Sequence, residues 1–343
     1  MSDPSVALEV VHDTLYTYAS PVALSHHLAH LQPLADAHQQ LLDFGLTLQP
    51  EAAEQRASLD SFGNAQHHLS LAQPHAQLHV RAASQVRVWP RFQALQPEAA
   101  PAWDTLAVGL RYVARAPYQP ALQFVMPSPY VPRLAELRAY AQPHFPPGRP
   151  LAAAALALMQ ALHADFSYES CSTEVDTPLA QAFRQRRGVC QDFAHLLAGM
   201  LRMLGLPARY VSGYLLTHPP AGAPQAAPGA ELLGADASHA WVQVWSPGTP
   251  GVPADGEGAG TGGWLDLDPT NNLVPGGGHV RVAVGRDFGD VTPLRGVIRG
   301  GGRHTLEVGV RTRLLSPQDT AALSAGAPMP SADSAGVLVA RQA

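Results

Sequence analysis

Gly188-Val189-Cys190-Gln191-Asp192-Phe193-Ala194-His195 places one of only two cysteines where a turn gives way to an apolar-periodic segment. Gly188 permits a tight turn. Phe193, Leu196, Leu197, Met200, Leu201 and Leu204 then share one face of a helix expected over Cys190–Leu204. Gly205 and Pro207 supply the signals that end it. A thiol at a helix N-terminus meets unpaired backbone N–H groups and the positive end of the helix dipole. Both favour the thiolate, the nucleophilic form of cysteine.

Downstream segments supply partners for that thiol. Ser238-His239-Ala240-Trp241 opens one strand, and Trp264-Leu265-Asp266-Leu267-Asp268-Pro269-Thr270-Asn271 closes the next. Adjacent antiparallel strands can set His239 beside a carboxylate, and a helix packed on their sheet can present Cys190 to the imidazole. Cysteine then attacks a carbonyl, histidine moves the proton, and the carboxylate fixes the ring's tautomer. Spacing leaves Asp266 and Asp268 both open, because strand alternation puts them on one face. Strands are expected at Ala208–Leu216, His239–Trp245 and Trp264–Leu267, with His279–Val284 and His304–Arg313 completing the sheet. Helices are expected over Val131–Ala141, Leu151–His163 and from Thr177-Pro178 to about Arg186.

The first part of the chain is different in character. Residues 7–18 alternate in a strand-like way, and Leu28–Leu34, Phe44–Leu48, Gln66–Leu71 and Gln77–Val88 are further strand candidates. Turn signals such as Asp60-Ser61-Phe62-Gly63-Asn64 separate them. The expected organisation is a β-rich region over residues 1–130, a second domain over 131–315 and a disordered tail over 316–343. Whether the first region is a sandwich or an open barrel stays open. The Gly/Pro-rich stretches Thr217–Asp236 and Ser246–Gly263 are expected loops flanking the site.

Composition narrows the function classes. A net charge of −5 without a dense basic run gives no argument for nucleic-acid binding. Two cysteines do not make a disulfide framework. No leader pattern and no long apolar run is visible, so a cytoplasmic, non-membrane protein is expected. The histidines of the first region, including His26, His27, His30, His67, His68, His75 and His79, lack a metal-ligand spacing, and no metal is expected.

The order GVCQDFAH, SHAW, DPTN resembles the transglutaminase-like superfamily, and more narrowly bacterial transglutaminase-like proteins with a β-rich N-terminal region. Phe166-Ser167-Tyr168, Thr177-Pro178, Gly205-Leu206-Pro207-Ala208-Arg209-Tyr210-Val211-Ser212-Gly213-Tyr214 and Val282-Ala283-Val284-Gly285-Arg286-Asp287-Phe288 extend the resemblance. So do Thr14-Leu15-Tyr16-Thr17-Tyr18 and Asp60-Ser61-Phe62-Gly63-Asn64 in the first region. The resemblance implies an α+β fold with a papain-like core of helices on an antiparallel sheet. It assigns Cys190 as nucleophile, His239 as general base and acid, and Asp268, the carboxylate before Pro-Thr, as the orienting group.

That chemistry needs no metal or organic cofactor. It implies a protein or peptide substrate offering a glutamine or other amide group. An amine acceptor gives transamidation, and water gives deamidation or proteolysis. A peptidase or amidase acting with water only, and a non-catalytic peptide-binding protein, are the alternatives. Gln191, Trp241 and Tyr168 are candidates for substrate or oxyanion contacts. Asp192 is expected to cap the helix, His195 to be a buried core histidine and Cys171 a semi-buried small side chain, with a redox lock onto Cys190 as its alternative. All 22 basic residues are arginine. Codon bias in a GC-rich genome accounts for that, and avoidance of self-modification by an enzyme with lysine acceptors is the sharper alternative.

Overall fold

A computed structural model describes residues 4–111, 113–170, 175, 177–216, 238–253, 263–316 and 340–342. Five strands come first: β1 (Val6–Ala29), β2 (Gln39–Gln49), β3 (Glu54–Leu59), β4 (Ala65–Leu71) and β5 (His75–Val88). Helices α1 (Trp103–Gly109), α2 (Ala135–Ala141) and α3 (Leu151–Asp165) follow. Next come β6 (Ser167–Tyr168), α4 (Leu179–Gln185), β7 (Arg187–Gly188) and α5 (Cys190–Met203). The chain continues through β8 (Ala208–Leu215), β9 (His239–Trp245), β10 (Trp264–Leu267), β11 (His279–Gly285) and α6 (Phe288–Val291). It ends with β12 (Leu294–Gly300), β13 (His304–Leu314) and β14 (Ala340–Gln342).

Among the described residues these strands form an eight-stranded sheet, a four-stranded sheet in the order β10-β9-β8-β11, and the short parallel pair β6-β7. The expected α+β architecture is present. Two sequence expectations need correction. Residues 7–18 and the start of Leu28–Leu34 are one long strand. Its first half lies between β5 and β13 and its second half between β4 and β12, with pairing shifts at residues 17–22 and 22–24. The strand expected over His304–Arg313 does not complete the four-stranded sheet. As β13 it pairs with β1, from Leu8↔Leu314 to Tyr18↔His304. Of the expected tail, 317–339 lies outside the described residues, while β14 pairs with β13 rather than standing apart.

The two large sheets share one core. Leu8 and Val10 of β1 and Val86 and Val88 of β5 belong to the same buried cluster as Leu196 and Leu197 of α5 and Val242 and Val244 of β9. Alternation along β1 explains its contribution, since Leu8, Val10, His12 and Thr14 all turn inward. Every residue of α5 from Asp192 to Arg202 is buried. Each large apolar side chain hidden there contributes roughly 1.5–3 kcal/mol. The backbone leaves α5 through Gly205 at φ +82°, the left-handed position a C-cap glycine takes.

One edge of the four-stranded sheet is closed by side chains of the first region. β11 is an edge strand, yet two amides reach its free backbone groups. Gln39 Oε1 accepts from Arg281 N at 2.8 Å, and its Nε2 donates to Arg281 O at 2.7 Å. Asn64 repeats the arrangement on Val284, accepting from N and donating to O at 2.8 Å each. Each amide thus replaces one residue of a neighbouring strand, and the edge offers no open ladder there. Asn64→Leu leaves Val284 N and O buried and unpaired, which costs about 1–3 kcal/mol per group. A urea unfolding midpoint lowered accordingly is the expected result.

Candidate active site

The segment entering α5 is held from both sides. Arg186 has φ +54°, and its guanidinium lies 4.6 Å from the Phe183 ring, 4.7 Å from Phe166 and 5.1 Å from Tyr140. This aromatic cage favours the cation and anchors the chain four residues before Cys190. Gly188 then pairs with Tyr168 between β7 and β6. Gly188 is required for a reason other than a tight turn: a Cβ there would lie 2.6 Å from Asp192 Cβ and Oδ2. That close approach lets Asp192 accept from Val189 N at 2.9 Å, so the expected capping role is the one the structure gives it. Cys190 is the first residue of α5, half-buried, with its thiol donating to Ser238 O at 3.9 Å.

His239 begins β9 opposite Gly213, and Asp268 directly follows β10. Both are buried, at 1% and 0% exposure. His239 Nε2 donates to Asp268 Oδ2 at 2.8 Å. Burial alone lowers the pKa of the His239 imidazole, but the charge and hydrogen bond of Asp268, with Cys190 acting in the same sense, raise it above the ordinary histidine range. Burial likewise opposes ionisation of Asp268, and the two histidines beside it more than reverse this and hold its pKa below the usual carboxylate range. Ring nitrogen Nδ1 of His239 has no hydrogen-bond partner among the described residues.

Sequence reasoning missed His279. It opens β11, and its Nε2 donates to the same Asp268 Oδ2 at 3.2 Å. Nothing in its local pattern, a histidine after three glycines, marks it; the contact depends on the path of the chain from β10 to β11. His239, Asp268 and His279 each offer one ligand-type atom within 4.8 Å of the others. Their present geometry is that of two N–H groups donating to one carboxylate oxygen. Tyr210, on β8, was not among the site candidates either. Burial raises its pKa well above the ordinary value, and the neighbouring charge of Cys190 adds to that.

The other candidates separate clearly. Asp266 is drawn away to Arg91, with Nη1 at 3.3 Å, and Asp268 alone of the two holds His239. Trp241 is 0% exposed and packs with Val211 and Val284. Its ring stacks on His239 at 6.0 Å. Gln191 donates through Nε2 to Val175 O at 3.1 Å. Tyr168 is half-buried against the main core. Cys171 lies outside the described residues.

His195 is buried, accepts from Phe288 N at 3.1 Å and packs between Tyr130 and Tyr210. Burial, aided by Arg202, lowers its pKa to about 3. His12, between Tyr214 and Thr14, is lowered to about 4 by burial against the weaker pull of Asp13. Both stay neutral in the fold while the unfolded chain takes up protons below about pH 6.5. Stability therefore falls as pH drops from 6.5 towards 4. His239 acts in the opposite sense: its contribution is complete below the ordinary histidine pKa and is lost as pH rises through its raised value. It adds no slope in the acid window. Urea titrations at pH 7 and 4.5 are expected to differ by a few kcal/mol, with the acid sample weaker.

A cysteine at a helix N-terminus beside strands carrying histidine and aspartate, on an α+β scaffold, defines the papain-like class of fold. Residues 138–269 match the transglutaminase-like superfamily, and residues 8–87 match the bacterial transglutaminase-like N-terminal region. An uncharacterised Mycobacterium tuberculosis protein is 35% identical over 296 residues, 84% of this chain and 86% of its own length. A Mycobacterium leprae protein is 33% identical over 309 residues, 90% of this chain and 99% of that one. The protein-glutamine gamma-glutamyltransferase of Pseudomonas aeruginosa is 32% identical over 126 residues, 35% of this chain and 16% of that enzyme. A solved structure from Cytophaga hutchinsonii, described as a candidate cysteine protease, shares the fold with a TM-score of 0.65, 22% identity and 91% coverage of each chain. The chain belongs to the transglutaminase-like superfamily.

Proposed function

We propose that this protein catalyses cysteine-dependent acyl transfer or hydrolysis at an amide, through a thioester on Cys190. The observation that carries the reading is the placement of His239, with Nε2 committed to Asp268 at 2.8 Å and Nδ1 left for the thiol at the start of α5. Asp268 accepts hydrogen bonds only, so it selects the tautomer with Nε2–H and leaves Nδ1 as the proton acceptor. Cys190 Sγ loses its proton to Nδ1 and attacks the carbonyl carbon of a glutamine carboxamide or peptide bond. The imidazolium returns that proton to the departing nitrogen, giving ammonia or an amine and the thioester. A primary amine or water then attacks the thioester, His239 takes its proton, and the thiol is restored.

Backbone N–H groups at the start of α5 are the donors suited to the oxyanion. The substrate class is a protein or peptide with an accessible amide side chain or bond. A reducing, cytoplasmic setting would keep the thiol free. The test is mass spectrometry of the intact protein with glutamine-containing peptides, with and without a primary amine. A mass increase equal to the peptide minus ammonia, discharged faster by the amine, supports transamidation. An increase discharged equally fast without it supports hydrolysis. No covalent adduct with any peptide, alongside an ordinary thiol titration, would sink the proposal.

A further inference from the structure

The Asp268 carboxylate accepts five hydrogen bonds from the described residues, and their origins differ. Oδ1 accepts from Thr270 N at 3.0 Å and Asn271 N at 3.2 Å, and Oδ2 accepts from Asn271 Nδ2 at 2.9 Å. Those three donors belong to the turn that carries Asp268, so they fix the carboxylate within the turn and not against the rest of the protein. Two donors come from other elements, His239 of β9 and His279 of β11. The strand order places β10, which leads into Asp268, and β11 at opposite edges of the four-stranded sheet. His279 therefore reaches Asp268 from the far side of the strand pair between them.

We propose that His279 is a positioning residue for the reaction at Cys190, holding Asp268 Oδ2 where it orients His239. The proposal rests on the function proposed above. His279 is itself well fixed. It is 5% exposed, and its ring meets the Trp241 edge at 5.4 Å and 84°. The same Trp241 stacks on His239, so the three rings pack as one block around the carboxylate. Two residues on, the Gln39 amide grips both backbone groups of Arg281, so the first region holds β11 in register. Remove the Nε2–H of His279 and the Asp268 turn keeps its internal bonds but loses its tie to β11. The carboxylate can then move away from His239, and the imidazolium beside Cys190 loses support.

The test uses the full chain in a Cys171→Ser background, comparing His279→Leu with His279→Gln. A glutamine amide can offer an N–H close to the position of Nε2; leucine fills the space without a donor. Two quantities are read, the pH midpoint of Cys190 alkylation by iodoacetamide and the kcat and KM for a glutamine peptide. The leucine variant is expected to move the midpoint upward towards the free-thiol value of ~8.5. Its kcat is expected to fall roughly 10–100-fold, the size typical of lost orienting partners, with little change in KM. The glutamine variant should recover most of both. Should the leucine variant not fold, His279→Asn, whose amide stops short of Asp268, takes its place. A low wild-type midpoint left unmoved by His279→Leu, with kcat unchanged, overturns this inference alone. An ordinary wild-type thiol profile with no turnover overturns the proposed function and this inference with it.

Discussion

Cys190→Ala forms no acyl-enzyme with any amide substrate and loses activity by a factor on the order of 10⁴ or more, to the level of background. The fold is expected to survive. Cys190 is half-buried at the first position of α5. The start of that helix is held by other groups: the Asp192 carboxylate on Val189 N and the aromatic cage around Arg186. Alanine is a good helix former and removes only a sulfur that donates to Ser238 O at 3.9 Å. A far-UV spectrum and melting temperature close to wild type, with no thioester in the mass spectrum, is the expected pair of results. A normal acyl-enzyme in this variant would move the nucleophile elsewhere.

Asp268→Asn should lower kcat/KM by about 10³–10⁴ through the wrong tautomer. The carboxylate accepts at both oxygens, and an amide has one acceptor only. The backbone N–H groups of Thr270 and Asn271 demand that acceptor on one side. The amide NH₂ then faces Nε2 of His239 and Nε2 of His279. To avoid donor against donor, His239 must carry its proton on Nδ1, where it meets the thiol and cannot take a second one without becoming an unsupported buried cation. Alkylation of Cys190 should slow at neutral pH and approach the free-thiol profile. A variant with the wild-type alkylation profile would show that Asp268 does not set the tautomer.

The core was legible in sequence where local pattern suffices. The one-sided apolar spacing of α5 and the β-branched and aromatic runs of β8, β9 and β10 gave their limits to within a residue or two. Of the two aspartates that spacing left open, Asp268 is the one hydrogen-bonded to His239. Other features depend on distant partners. β3 was missed because all six of its residues are exposed and show no alternation. β13 was assigned to the wrong sheet because a strand's pattern says that one face is buried, not which strand lies alongside. Gly188 was credited with turning the chain, whereas it makes room for Asp192. His279 and the amides of Gln39 and Asn64 were invisible for the same reason: each acts on a backbone or carboxylate far away in sequence.

The pairing of β1 with β13 has a consequence for how the chain is made. Leu8 lies opposite Leu314, the first of eleven successive pairs. During synthesis β1 emerges before β4 and β5 and can find them early, but β13, its partner along the other edge, is translated long afterwards. Until then a long strand stands with open backbone groups, the condition that invites pairing with another nascent chain. Such a large sequence separation also makes closure slow. β13 therefore completes a strand made long before it, and a chain stopped short of residue 304 would be released with that edge uncovered.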